Sequence, residues 1–362
     1  MIDIQLVKYR QVEAELLDLF RLSFGHDITP ELWNWKHTGN YITSGDPEVI
    51  VAMDGDKMVG ARPFIFIDVW LGNQKGIAAQ HCDTMVHPEY QRQGLFNLMG
   101  QFSLQYLKEN GCLLSYGYAN LLSRSGFLKQ GYRIIGTIEI MFRLLKPEKI
   151  ISRKLKSKFL GSVAGLFYDK LLVKKPKKIS GLSHPFQVYV ADQFIEELRQ
   201  VDTLRDEKAI DLARSERLLK WRYDGHPDYK YKYIAVTREG VLSGYAVISA
   251  RKEGNRLTQG LIVDYLVKNN DTTCFQVLLD SCLIEFEKSE CDYASVLMIS
   301  KSNPIRELFT RSGFKSSFGF PYKIFFEHGY LDAIQIQEQM IENIDIYDQE
   351  NWRLSYAFSD VR

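Results

Sequence analysis

Between Thr84 and Met99 an apolar strand ends at Pro88, crosses a polar loop with one glycine, Gly94, and runs into a helical repeat of Leu95, Leu98, Met99, Phe102, Tyr106 and Leu107. Such a step lets several backbone N–H groups converge at a helix N-terminus, where their partial positive charge attracts phosphate. Gly94 removes the Cβ that would hinder close approach of phosphate oxygens, and Arg92 adds a mobile charge. The chemistry predicted for this stretch is the binding of a pyrophosphate.

Regular elements must hold that loop in place. Val49 to Met53, the turn Asp54-Gly55-Asp56-Lys57 and the run Met58 to Leu71 predict a hairpin upstream. Gln80 to Val86 forms the strand entering the loop. Downstream, Cys112 to Ala119 is a second strand ending at Asn120, followed by a short helix and the pair Gly131-Tyr132.

This succession resembles the GCN5-related N-acetyltransferase (GNAT) family, whose signature is a strand ending in Val-x-Pro-x-x followed by (Gln/Arg)-x-x-Gly-x-(Gly/Ala). Val86, Pro88, Gln91 and Gly94 stand in the matching places, while Phe96 replaces the final small residue. The second strand, Asn120 and Gly131-Tyr132 are similar to the family's strand, asparagine and Gly-Phe corner, so residues 3 to 142 correspond to one complete domain. The resemblance implies acetyl-CoA as acyl donor. Its pantetheine arm would pair with backbone around Met85, Val86 and His87 and meet Asn120, and its pyrophosphate would lie against Gln91, Arg92, Gln93, Gly94, Leu95 and Phe96. It also implies direct attack of an amine on the thioester, with the Val86 N–H facing the developing oxyanion.

An attacking amine must be neutral, so a base or a water chain is expected near this strand. The family's frequent glutamate maps to Gln80, which cannot take a proton. His81 and Asp83 remain, and strand alternation would place both on one face with Met85. The competing readings are a satisfied buried histidine for His81, and for Asp83 a carboxylate that binds a cationic acceptor or caps a turn. Where many relatives carry a tyrosine as general acid this chain has Phe127; Tyr116, Tyr118 and Ser125 are the candidate substitutes, and Cys82 reads as core.

With 362 residues, 45% hydrophobic and 25% charged, two domains are expected. No apolar run reaches the ~18 residues of a membrane span, and the first residues lack the marks of a signal peptide, so a cytoplasmic location is expected. Five cysteines without a Cys-x-x-Cys pair read as reduced core residues, and seven scattered histidines predict no metal site. The net charge is only +1, with no basic stripe interleaved with aromatics, which argues against a nucleic-acid partner.

An internal echo supports the two-domain count. Trp35-Lys36 aligns with Trp221-Arg222, and each precedes a hairpin, the second being Tyr231 to Thr237 and Val241 to Ala250. A strand at Gly260 to Val267, a helix near Thr273 to Glu287, a strand at Tyr293 to Ser300, Asn303 and Gly313-Phe314 repeat the later elements. The chemistry does not repeat: Lys268 to Thr273 has no glycine, and Asp271 would repel a pyrophosphate. The expected fold is α/β, two tandem GNAT-like domains with mixed central sheets flanked by helices. The segments are a catalytic domain at 1–145, a basic helical connector at 146–183, a degenerate domain at 184–330 and a tail at 331–362. The connector, rich in lysine, is read as a helical bracket, with peripheral contact to an anionic membrane surface as the alternative. The tail is read as a short helix and then a strand or docking segment at Trp352 to Phe358. The aromatic residues Trp33, Trp35, Tyr41, Trp221, Tyr223, Tyr229, Tyr231 and Tyr233 are read as core or interface packing, or as the lining of a sugar cleft.

The expected activity is acetyl transfer to a primary amine of a small molecule, amino sugar or peptide. Two alternatives stand beside it: an aminoacyl transferase of the peptidoglycan-bridge type, which usually dispenses with the coenzyme loop, and a non-catalytic acyl-CoA-responsive binding protein.

Overall fold

The computed structural model describes residues 2–43, 45–149, 185–252, 254, 257–299, 304–317, 329–337 and 344–359. The chain opens with β1 (Ile2–Lys8), α1 (Glu13–Phe24), α2 (Pro30–His37), β2 (Glu48–Asp54) and β3 (Lys57–Arg62). Thr29 caps α2 through its side chain, and Pro30 takes the first helical position, where a missing N–H costs nothing. Then follow β4 (Phe64–Leu71), β5 (Gln74–His81), β6 (Met85–Val86), α3 (Leu95–Glu109), β7 (Cys112–Ala119), α4 (Arg124–Lys129), β8 (Arg133–Thr137) and β9 (Glu139–Leu144).

Two predicted strands are interrupted. The run Met58 to Leu71 divides at Pro63, which has no N–H to donate to a ladder, so β3 and β4 lie in different sheets. The strand Gln80 to Val86 likewise stops at His81 and resumes at Met85, with Asp83 at φ +47°. These breaks split the first half into a four-stranded sheet, ordered β1-β2-β3-β6, and the sheet that contains β4, β5 and β7.

The second half contains β10 (Phe186–Ala191), β11 (Ile210–Leu212), α5 (Glu216–Leu219), β12 (Lys232–Arg238), β13 (Val241–Lys252), β14 (Thr258–Val267), α6 (Thr272–Lys288), β15 (Tyr293–Met298), α7 (Pro304–Arg311), β16 (Lys315–Ser316) and β17 (Tyr330–Gln335). Here β13 and β14 run unbroken through single register shifts, and the layer stays one seven-stranded sheet, ordered β10-β12-β13-β14-β15-β9-β16.

The halves exchange strands. β9 of the first half enters the second sheet between β15 and β16, and β17 enters the first between β7 and β8, giving a six-stranded order of β11-β4-β5-β7-β17-β8. The short helix expected at the start of the tail is therefore a strand: insertion between two strands gives both of its edges ladder partners, which outweighs local helix preference. The cuts at 145 and 330 consequently do not separate the sheets, because each sheet is completed by a strand from the other side. Trp352 and Phe358 dock in the first core, almost fully buried. The connector lies, from Ile150 to His184, outside the described residues.

The echoed aromatics form core and interface rather than a sugar cleft. Trp33 is fully buried. Trp35 and Trp221 stack with ring centroids 5.0 Å apart, and each indole Nε1 donates to the other's backbone carbonyl, at 2.7 and 3.0 Å. The repeated motif is thus a reciprocal contact between the two halves. All five cysteines are buried free thiols, and no helix among the described residues is long and apolar enough to cross a membrane.

Candidate active site

The N-terminus of α3 has the conformation the loop sequence demands. Gly94, its N-cap, sits at φ +84° and Arg92 at φ +59°. Left-handed residues alternating along a turn point successive amides into one concavity. Among the described residues no protein acceptor meets the N–H groups of Arg92 to Phe96, no side chain caps the helix, and Gln91 to Gly94 are exposed. Gln91 and Gln93 brace the loop instead, donating to the carbonyls of Val86 and Glu89 at 3.3 and 3.0 Å. Leu95 and Met85 are core. Phe96, in the place of the expected small residue, turns its ring onto Gly126 and Phe127 and leaves the amides open. The helix start in the second half is sealed: the Asp271 carboxylate accepts from Thr273 and Cys274 N–H at 2.8 and 3.0 Å.

Beside the cradle, the break between β5 and β6 opens a cavity of about 470 Å³ lined by residues 80–84 with Phe24, Phe96, Tyr118, Asn120, Ser123 and Phe127. The His87 N–H bonds back to Val59 at 2.9 Å, so the alternation of a strand turns the Val86 N–H the other way, to the open edge of β6. Asn120 accepts from the N–H groups of Leu122 and Ser123 at 3.0 and 2.9 Å, closing the turn before α4 while its residue still faces the cavity.

His81 and Asp83 do not share a face. The left-handed backbone at Asp83 breaks the period of two and sends the side chains to different partners. Asp83 is buried in an ion pair with the Lys36 ammonium, and His37 Nε2 lies 3.5 Å from the same carboxylate oxygen. Burial pulls the His37 pKa below its ordinary value, which keeps that ring neutral beside Lys36. Asp83 is therefore the counter-ion of Lys36, its side chain fully buried at the border of the cavity. His37, Cys82 and Asp83 do lie close enough together to hold a cation, but the Lys36 ammonium already supplies the positive charge there.

His81 is held by a row of three strands. In the registers of β5, β7 and β17, His81 stands opposite Gly117 and Gly117 opposite Asp332. Because Gly117 has no Cβ, the imidazole lies over it, stacks on Phe127 at 3.9 Å and reaches Asp332, with Nε2 3.1 Å from Oδ1. The Asp332 side chain is completely buried. The corresponding row in the second half, the last before β14 leaves β15, is Ile262, Val296 and Met141, all core. Two residues on from Ile262, Asp264 is locked by Arg214, Tyr245 and Ser355.

Sequence reasoning passed over Lys36, Arg62 and Asp332. Arg62 is fully buried beneath the site, its guanidinium 5.2 to 5.7 Å from the rings of Phe127, Phe64 and Phe96, and burial lowers its pKa. The echo of Trp35-Lys36 marked one of the three; nothing local marked Asp332, 251 residues from its partner.

Residues 8–135 match the family model of an acetyltransferase (GNAT) domain. That segment of the first half is a GNAT-type domain. Its fold is similar to that of a conserved Enterococcus faecalis protein described as a probable N-acyltransferase, with a TM-score of 0.64 at 12% identity over 93% of this chain and 73% of that one. A GCN5-related N-acetyltransferase from Anabaena variabilis gives 0.61 at 12% identity over 92% and 73%. A tandem GNAT protein from the clavulanic acid biosynthesis pathway gives 0.54 at 9% identity, over 94% of this chain and all of that one. At these identities the likeness is one of fold. No curated protein matches the sequence. GNAT enzymes in general use an acyl-CoA and an amine acceptor.

Proposed function

We propose that this protein transfers an acetyl group from acetyl-CoA to a primary amine of a small molecule, amino sugar or peptide, and that the coenzyme is held at the helix start of the first half and not at its counterpart in the second. The observation that supports this reading is the contrast between the two helix starts. The amides of residues 92–96 have no protein acceptor among the described residues and open beside a cavity, whereas Asp271 fills the equivalent place in the second half.

The coenzyme supplies a thioester carbon activated toward amines. The amides of 92–96 and the helix dipole hold its pyrophosphate, and Val86 presents an N–H where charge develops on the carbonyl oxygen. His81, on the wall of the cavity, takes the proton from the attacking nitrogen as the C–N bond forms and the C–S bond breaks. A thiol of pKa ~8.5 is a fair leaving group without a dedicated acid. Tyr116 is excluded as an acid because it is fully buried with its hydroxyl donating to the Phe358 carbonyl at 3.0 Å; Tyr118 lines the cavity.

Titration calorimetry with acetyl-CoA on the native protein and on Gly94→Asp tests the cradle. A Cβ at Gly94 meets nothing within 4 Å, but φ +84° strains any L-residue, so Gly94→Ala is the control that separates the strain from the charge. Binding weakened by about tenfold or more is expected, since a carboxylate within a few ångströms of a pyrophosphate costs on the order of 1 kcal/mol or more. Equal affinity in both proteins would place the coenzyme elsewhere.

A further inference from the structure

We infer that Asp332, delivered by the exchanged strand β17, is the positioning residue that makes His81 a base, so that the active site is a composite of both ends of the chain. The inference rests on the proposed role of His81 and adds to it the group that sets its tautomer and direction.

Four observations carry it. The His81 ring is pinned on three sides: over Gly117, against Phe127, and edge-on to Tyr132 at 5.2 Å. Its Nε2 faces a carboxylate oxygen at 3.1 Å, and a neutral imidazole must place its N–H there, because a carboxylate only accepts. That leaves the Nδ1 lone pair as the proton acceptor, and among the described residues no hydrogen-bond partner meets Nδ1. The second oxygen of Asp332 is buried without a hydrogen-bond partner among the described residues. A carboxylate so poorly satisfied in the resting state gains most when its neighbour becomes an imidazolium, which is what proton abstraction at Nδ1 creates. The second half carries Met141 and Ile262 in the same row, so the dyad is absent from the half whose helix start is sealed.

The test compares the native chain, Asp332→Asn and His81→Ala in the full-length protein. Nitrogen-15 NMR of the histidine rings reads the tautomer directly, with His81→Ala assigning the signal, and needs no turnover. The native His81 should carry its proton on Nε2, and Asp332→Asn should shift the population toward Nδ1–H. In thiol-release assays the variant should lower kcat by about tenfold or more, a part of the 10² to 10⁴ that general base catalysis supplies, with KM for acetyl-CoA unchanged. A native His81 protonated on Nδ1, or an Asp332→Asn protein with native tautomer and native kcat, overturns the inference. If the NMR shift appears while His81→Ala turns over normally, the base assignment fails instead, and Asp332 orients a ring with no part in catalysis.

Discussion

Gly117→Ala is the sharpest single perturbation of the site. A Cβ on Gly117 would stand 2.1 Å from His81 Cε1 and 2.4 Å from both ring nitrogens. Ordinary carbon contacts lie at about 3.5 Å, so the ring must retreat by roughly 1 Å or more. It has nowhere to go without leaving Phe127, and the 3.1 Å bond to Asp332 would stretch beyond hydrogen-bond range. Overpacking of this kind costs about 1 to 3 kcal/mol, and loss of a hydrogen bond to a charged group about 1.5 to 3 kcal/mol. Thermal melts should therefore show a clear but survivable loss. The kinetic effect should be larger in proportion: a displaced base forfeits much of 10² to 10⁴ in rate, on the order of 3 to 5 kcal/mol of barrier. Acetyl-CoA affinity by calorimetry should not move, because the amides of 92–96 are outside the row. Gly76→Ala is the matched control: Gly76 lies on β5, and its Cβ would meet the side chain of Leu113 on β7 at 2.2 Å, away from the dyad. It should lose stability and keep its rate. A Gly117→Ala enzyme whose kcat stays within about threefold of native would refute the placement of His81 in the chemistry.

Two further predictions concern buried charge. Lys36→Met takes from the fully buried Asp83 its ammonium partner and should cost about 3 to 5 kcal/mol in urea denaturation, of which Lys36→Met with Asp83→Leu recovers a large share; equal stability of the single variant and the native protein would show the pair to be dispensable. Burial pushes the Asp211 carboxyl up to about 6 in the folded protein, and its Oδ2 has no hydrogen-bond partner among the described residues. The folded state then holds a proton that the unfolded state has lost, so native stability falls as pH rises from about 4 to about 6 and stays low above. Asp211→Asn keeps an acceptor for Arg214 and should gain on the native protein by about 1 to 3 kcal/mol across that window. An identical stability difference at pH 4 and pH 8 would contradict it.

The elements that hold the loop before α3 were legible because their signals are local. Cys112–Ala119 is the strand expected there, and α3 starts after Gly94. The repeat was equally plain, since Trp35-Lys36 and Trp221-Arg222 can be matched by eye. What failed was period-two reasoning across Pro63 and Asp83, where one residue without an N–H and one with a left-handed backbone end a strand that apolar content alone would continue.

The amino-acid sequence by itself determined the open amides at the start of α3 and the closed helix start in the second half, because backbone conformation at a helix start depends on a few adjacent residues. Tertiary structure alone decided which carboxylate meets which base. The pairing of Asp332 with His81 requires β17 to be threaded between β7 and β8 and a glycine to stand between them, a coincidence of register on strands more than two hundred residues apart that no local pattern encodes.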